Sequence, residues 1–280
     1  MADKIITIGH SPDADDAFMF YALTHNKLDI PGIKFEHILT DIETLNRRAM
    51  RKGDTELPLL DVTAASLHTY PYIVKDYQIL TCGASMGKGY GPIVVSKDTK
   101  LSPDSEIAIP GEYTSAFLAL KMCIGKFKYR VIPFDQIMPA VINDQVYAGL
   151  LIHEGQITYA DKGLNIVLDL GKWWFEKTNL PLPLGINLVK RSLDETLKHT
   201  INQAIKDSIA YGFAHEDEAM SYAAKFSRGL DMERVKQFAL MYVNEYTIEP
   251  GKEGRAGIQE FIRQAISLNL IPPVTVEFVS

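Results

Sequence analysis

With 280 residues, 46% hydrophobic and 23% charged, the chain has the make-up of an ordinary folded protein with length for about two domains. A net charge of -6 and the lack of a dense lysine and arginine cluster exclude a protein that grips nucleic-acid phosphates. Two cysteines without CxxC or zinc spacing exclude a zinc ribbon, and the sequence has neither a secretory leader nor an 18-residue apolar run, so the expected partner is no membrane and the expected location is the cytoplasm.

In chain order, residues 4–8 predict a strand, followed by Ser11 as a helix N-cap and Pro12 at the first helical position. Asp13, Asp15 and Asp16 crowd the first turn and read as capping or solvated carboxylates at the positive end of the helix. They do not form a calcium loop, because Phe18 replaces its glycine and Thr24 its bidentate glutamate. Residues 33–39 predict a strand and 42–50 a helix. A third strand is expected at 57–62, with a helix beginning at Thr63-Ala64-Ala65-Ser66. Residues 77–82 predict a strand, and the glycine-rich 83–91 a flexible connector whose spacing does not match a phosphate loop. Such alternation predicts a parallel-sheet α/β architecture.

Two similar strands, 91–97 and 185–190, each open on glycine and close on lysine. Between them lie strand 107–109, helix 114–124, strand 129–133, helix 136–143 and strand 148–152. After them the chain turns helical at 193–214, 217–226, 231–243 and 252–268. The economical arrangement is two-lobed. Residues 1–91 plus 186–280 build one lobe and 92–185 the other, with two crossover strands and a ligand cleft between.

His153 and Glu154 follow the apolar strand 148–152. Ligands gather outside the carboxyl ends of strands in open α/β sheets, and histidine titrates near neutrality, so His153 is a candidate acid or base. A strand-capping histidine bound to a loop is the structural alternative. HExxH is ruled out by Ile157. Thr114 and Ser115 stand where a helix begins, either to bind a carboxylate or simply to cap. Asp61, Val62 and Thr63 have the same form in the other lobe. Trp173 and Trp174 read as a packed return towards the hinge.

The segments SPDADDAFMFYAL, DIETLN, GYGPIVV, PGEYTSA, AGLLIHE and WWFEKTNLPLPLG, in this order, resemble the 1,4-dihydroxy-6-naphthoate synthase family of the futalosine route to menaquinone. The resemblance implies a type II periplasmic-binding-protein-like fold used as a carbon–carbon lyase. Such an enzyme cleaves cyclic dehypoxanthinyl futalosine, a small anionic substrate, to the naphthoate and dihydroxyacetone without metal or organic cofactor. It implies His153 as proton acceptor, with Ser11, Asp61, Val62, Thr63, Thr114 and Ser115 binding substrate. The chain departs from the family pattern in carrying SPDADD for SPCPND, and Asp61-Val62-Thr63 for a KLS-type turn. The latter exchange alters the electrostatics beside a carboxylate-bearing substrate. A non-catalytic carboxylate-binding protein of the same fold is the alternative from another class.

Overall fold

The computed structural model describes residues 3–53, 57–102 and 104–279. Its strands are β1 (Lys4–His10), β2 (Ile33–Leu39), β3 (Val62–Ser66), β4 (Tyr77–Ile79), β5 (Ser85–Gly87), β6 (Ile93–Ser96), β7 (Glu106–Ile109), β8 (Lys128–Val131), β9 (Ala148–Leu151), β10 (Asn165–Asp169) and β11 (Leu182–Lys190). They form two sheets, ordered β2-β1-β3-β11-β4, with β5 also on β11, and β10-β6-β9-β7-β8. Each sheet with its helices is one lobe.

Both sheets are mixed, which corrects the expectation of parallel pairing. β1 runs parallel to β2 and β3, and β7 parallel to β8 and β9. The antiparallel partners are β11 in the first sheet and β6 in the second. These are the strands next to the two crossings, and each brings the chain in from the opposite lobe.

The third strand also lies further along than the sequence indicates. Residues 57–61 are outside the sheet, and Val62–Ser66 is a strand with all five residues buried, flanked by β1 and β11. The predicted helix start is therefore a central strand. Burial between two neighbours overrides the local helix propensity of two alanines. The 83–91 segment is likewise no loose connector, since it supplies β5.

The helix Ala14–Met19 has every residue buried and packs against the helices Glu195–Ala214, Glu216–Ala223 and Met232–Tyr242. Its N-cap is Asp13, whose side chain accepts from the Asp16 N–H, so Ser11 does not hold that place. In the second lobe the helix Phe134–Ile142 lies close over β9. A Cβ on Gly149 would meet Ile137 Cγ2 at 2.4 Å and Val141 Cγ2 at 3.0 Å, so only glycine allows that approach. Trp174 is buried, with its indole N–H donating to the Pro181 carbonyl and its ring edge-on to Phe261, as expected of a packed return. Cys82 and Cys123 are free thiols. Among the described residues no helix is long and apolar enough to cross a membrane.

Candidate active site

A cavity lies in the cleft. From the first lobe it is lined by the segment after β1, by the end of β3 and by β5. β11 forms its floor, and the second lobe closes it with the starts of the helix Ser115–Ile124 and the segment after β9.

His153 is the histidine of that lining. It follows β9 with a left-handed backbone (φ +53°), which turns the chain sharply at the strand end. Its ring packs edge-on against Phe134, centroids 4.7 Å apart. Nδ1 lies 3.0 Å from Asp13 Oδ2, and Nε2 is buried with no hydrogen-bond partner among the described residues. An ionised Asp13 can only accept, so Nδ1 carries the hydrogen and Nε2 presents its lone pair when the ring is neutral.

Charge in this corner is tightly balanced. Asp13, Asp15, Asp16 and Glu154 are all buried. Burial by itself raises the Asp13 carboxyl. The His153 charge and hydrogen bond overcome it and hold Asp13 well below the usual carboxylate range. Burial and the neighbouring Asp13 charge push both Asp15 and Asp16 well above it. Asp16 accepts the Ser11 N–H at 2.7 Å, while Asp15 Oδ1 and Ser11 Oγ are buried without partners. Burial pulls the His153 imidazole down, but Asp13, and more weakly Glu154, leave it above its ordinary value. Glu154 does not orient His153. Its carboxylate pairs with Arg228 at 2.7 Å, and Asp13 from the other lobe takes the orienting position.

Asp13, Asp15 and His153 place ligating atoms within 4.8 Å of one another, the one such group among the described residues. Within this group Asp13 and His153 are already hydrogen-bonded to each other through Oδ2 and Nδ1.

The remaining expected site residues divide. Ser11, Thr114 and Ser115 line the cavity. The Thr114 hydroxyl caps its helix, accepting from the Phe117 N–H and donating to the Gly111 carbonyl, and Ser115 Oγ donates to the Leu184 carbonyl. What this helix start offers a ligand is therefore its backbone N–H groups more than its hydroxyls. Asp61, Val62 and Thr63 do not line the cavity. Asp61 Oδ2 accepts from the Thr7 N–H and hydroxyl, Val62 is core, and the Thr63 hydroxyl donates to the Ala64 carbonyl. The later start of β3, at Val62 and not at residue 57, puts Ala64 and Ser66 on the wall instead. Sequence reasoning missed Asp13, Gln156, Asn187 and Tyr242. For Asp13 a signal was present, because three carboxylates directly follow the carboxyl end of β1.

Residues 6–266 match the family described as Menaquinone biosynthesis. A 1,4-dihydroxy-6-naphtoate synthase of Thermus thermophilus is 36% identical over 271 residues, which cover 96% of this chain and 97% of the relative. A crystal structure of a protein from Archaeoglobus fulgidus is 48% identical, with a TM-score of 0.90 over 95% of this chain and 98% of the other. A Candida albicans protein described as having the generic periplasmic binding protein fold is 11% identical, with a TM-score of 0.71 over 98% of this chain and 93% of its own. That last likeness establishes the two-lobed architecture.

Proposed function

This chain belongs to the menaquinone-biosynthesis family, and we propose that it is the carbon–carbon lyase that converts cyclic dehypoxanthinyl futalosine to 1,4-dihydroxy-6-naphthoate and dihydroxyacetone, with His153 as general base. The observation that carries this reading is His153 Nε2, buried, without a partner, in a residue that lines the cleft. Breaking the bond requires a proton to be taken from a hydroxyl or an acidic C–H, and a fixed imidazole in a largely apolar cleft is suited to that. Aromatisation of the second ring supplies the driving force. The aryl carboxylate would be received at the first turn of the helix Ser115–Ile124, where helix N–H groups favour an anion. No metal or organic cofactor takes part.

Incubating the pure protein with cyclic dehypoxanthinyl futalosine and following naphthoate by absorbance after chromatography tests the reading. Binding without product would leave a binding protein. For the base, His153→Ala removes the imidazole, and His153→Asn is its control because asparagine tolerates the left-handed backbone that strains alanine. Both variants are expected to bind substrate and lose about 10²- to 10⁴-fold in kcat. Wild-type turnover in either would place the base elsewhere.

A further inference from the structure

Asp13 and His153 belong to different lobes. Asp13 follows β1 and caps the helix Ala14–Met19, while His153 follows β9, so their 3.0 Å contact spans the cleft. Each partner is held independently on its own side. Asp13 keeps its other oxygen, Oδ1, on the Asp16 N–H at 3.3 Å. His153 is fixed by its left-handed backbone, by Phe134 and by Gln156, whose N–H and side-chain amide both donate to the His153 carbonyl at 3.1 and 3.3 Å. Neither side chain needs the other in order to stay where its own lobe puts it.

We propose that Asp13 is the positioning residue of a cross-cleft dyad: it sets the His153 tautomer and strengthens Nε2 as a base, and it does so only while the two lobes are together. The proposal rests on His153 being the base. Closure then couples two events. It covers the substrate, and it brings to Nδ1 the carboxylate that makes the imidazole basic enough to act. In an open molecule Nδ1 faces water, and the ring is an ordinary solvated imidazole with either nitrogen protonated. A premature proton transfer from solvent-exposed substrate is thereby avoided. The balance of shifts agrees: burial works against the charged ring, and Asp13 supplies what overcomes it.

Other contacts also span the cleft. Arg228 reaches Glu154, Arg234 reaches Asp161, and the Tyr242 hydroxyl donates to Gln156 at 2.7 Å. Asp13–His153 differs from these in using a ring whose other nitrogen is unpartnered in the cavity wall. A contact that merely latched the lobes would change stability and KM while leaving the pH profile unmoved.

The test uses Asp13→Asn, which is as good an N-cap as aspartate, with Asp13→Ser as a second capping variant lacking the carboxylate. For wild type and both variants, kcat and KM are measured across pH, together with naphthoate binding. The His153 ring is titrated by NMR in the free and naphthoate-bound protein, its signal assigned from His153→Asn. In the wild type the acid limb of kcat, which reports the closed complex, is expected above the ordinary imidazole value of 6.5, and the ring to titrate higher in the complex than in the free protein. In the variants the limb moves to lower pH, kcat falls on the order of 10²-fold, and KM and product binding change little. The complex-induced rise of the ring disappears. An unmoved limb and wild-type kcat in a folded variant, with His153→Asn inactive, overturn the dyad alone. Activity in His153→Asn overturns the base reading itself. If neither variant folds, a wild-type ring that titrates alike in free and bound protein still refutes the dyad.

Discussion

Replacing Arg228 by glutamine should weaken the closed molecule in a way that depends on pH. The guanidinium is 2.7 Å from Glu154 Oε2 and lies over the Phe134 ring, 4.6 Å from its centroid. The Glu154 side chain is 9% exposed and that of Arg228 38%. Stripping one partner from a fully buried pair costs about 3–5 kcal/mol. Water reaching the Arg228 side reduces that to about 1–2 kcal/mol, and the lost cation–π contact adds about 0.5 kcal/mol. A total of about 2 kcal/mol lowers the melting temperature by roughly 4–6 °C in a chain of this size.

The sign of the pH dependence follows from Glu154. Burial raises its carboxyl above the ordinary 4.5, and the charges of His153 and Arg228 restrain that rise. Without Arg228 it rises further. An acid raised in the folded state binds its proton more tightly there than in the unfolded chain, so stability falls as pH climbs through the folded value. The melting difference between variant and wild type should therefore be largest near neutrality and shrink as the pH falls and the raised Glu154 carboxyl takes up its proton. Calorimetry of wild type, Arg228→Gln, Glu154→Gln and the double variant across that range measures it. The double variant should be the more stable of the two that lack Arg228. A constant offset at every pH, with no relief in the double variant, would refute the reasoning.

Gly149→Ala drives a methyl into Ile137, which is itself fully buried. It should cost about 1–3 kcal/mol in thermal unfolding, and because β9 carries His153 the displacement should also lower kcat. A variant with wild-type melting and turnover would mean that the helix Phe134–Ile142 gives way freely. Asp61→Asn should leave kcat and KM nearly unchanged in the naphthoate assay, since Asp61 serves Thr7 and not the cavity, while losing about 1 kcal/mol of stability. A large rise in KM would return Asp61 to the substrate.

Local signals revealed much of the fold and part of the site. The run Ala148–Leu151 ending at a histidine identified both a strand and its chemically useful end, because strand, terminus and side chain are adjacent in sequence. Thr114 could be read as a helix start for the same reason. β3 could not be located, since Val62–Ser66 is a strand by virtue of β1 and β11, contributed from some 50 residues before it and 120 after. The acidic cluster was legible only in its capping role, which Asp13 fills, and the same limitation hid the rest. Three neighbouring aspartates look solvated until the C-terminal helices cover Ala14–Met19 and His153, 140 residues away, comes to rest on Asp13. Glu154 is next to His153 in sequence, but after the turn at φ +53° the two side chains meet different neighbours, Arg228 and Asp13.

The position of β11 bears on how the chain reaches this structure. Every strand of the second sheet comes from residues 93–169, a continuous length of chain, whereas the first sheet has β11 between β3 and β4. During synthesis β3 and β4 emerge early yet lack the neighbour that joins them until residue 190 has been made. The inserted lobe can finish its sheet first, and the N-terminal strands wait for it. The lobe that carries His153 is then formed before the one that presents Asp13, and a nascent chain that has emerged from the ribosome as far as residue 180 would display the histidine without its carboxylate partner in place.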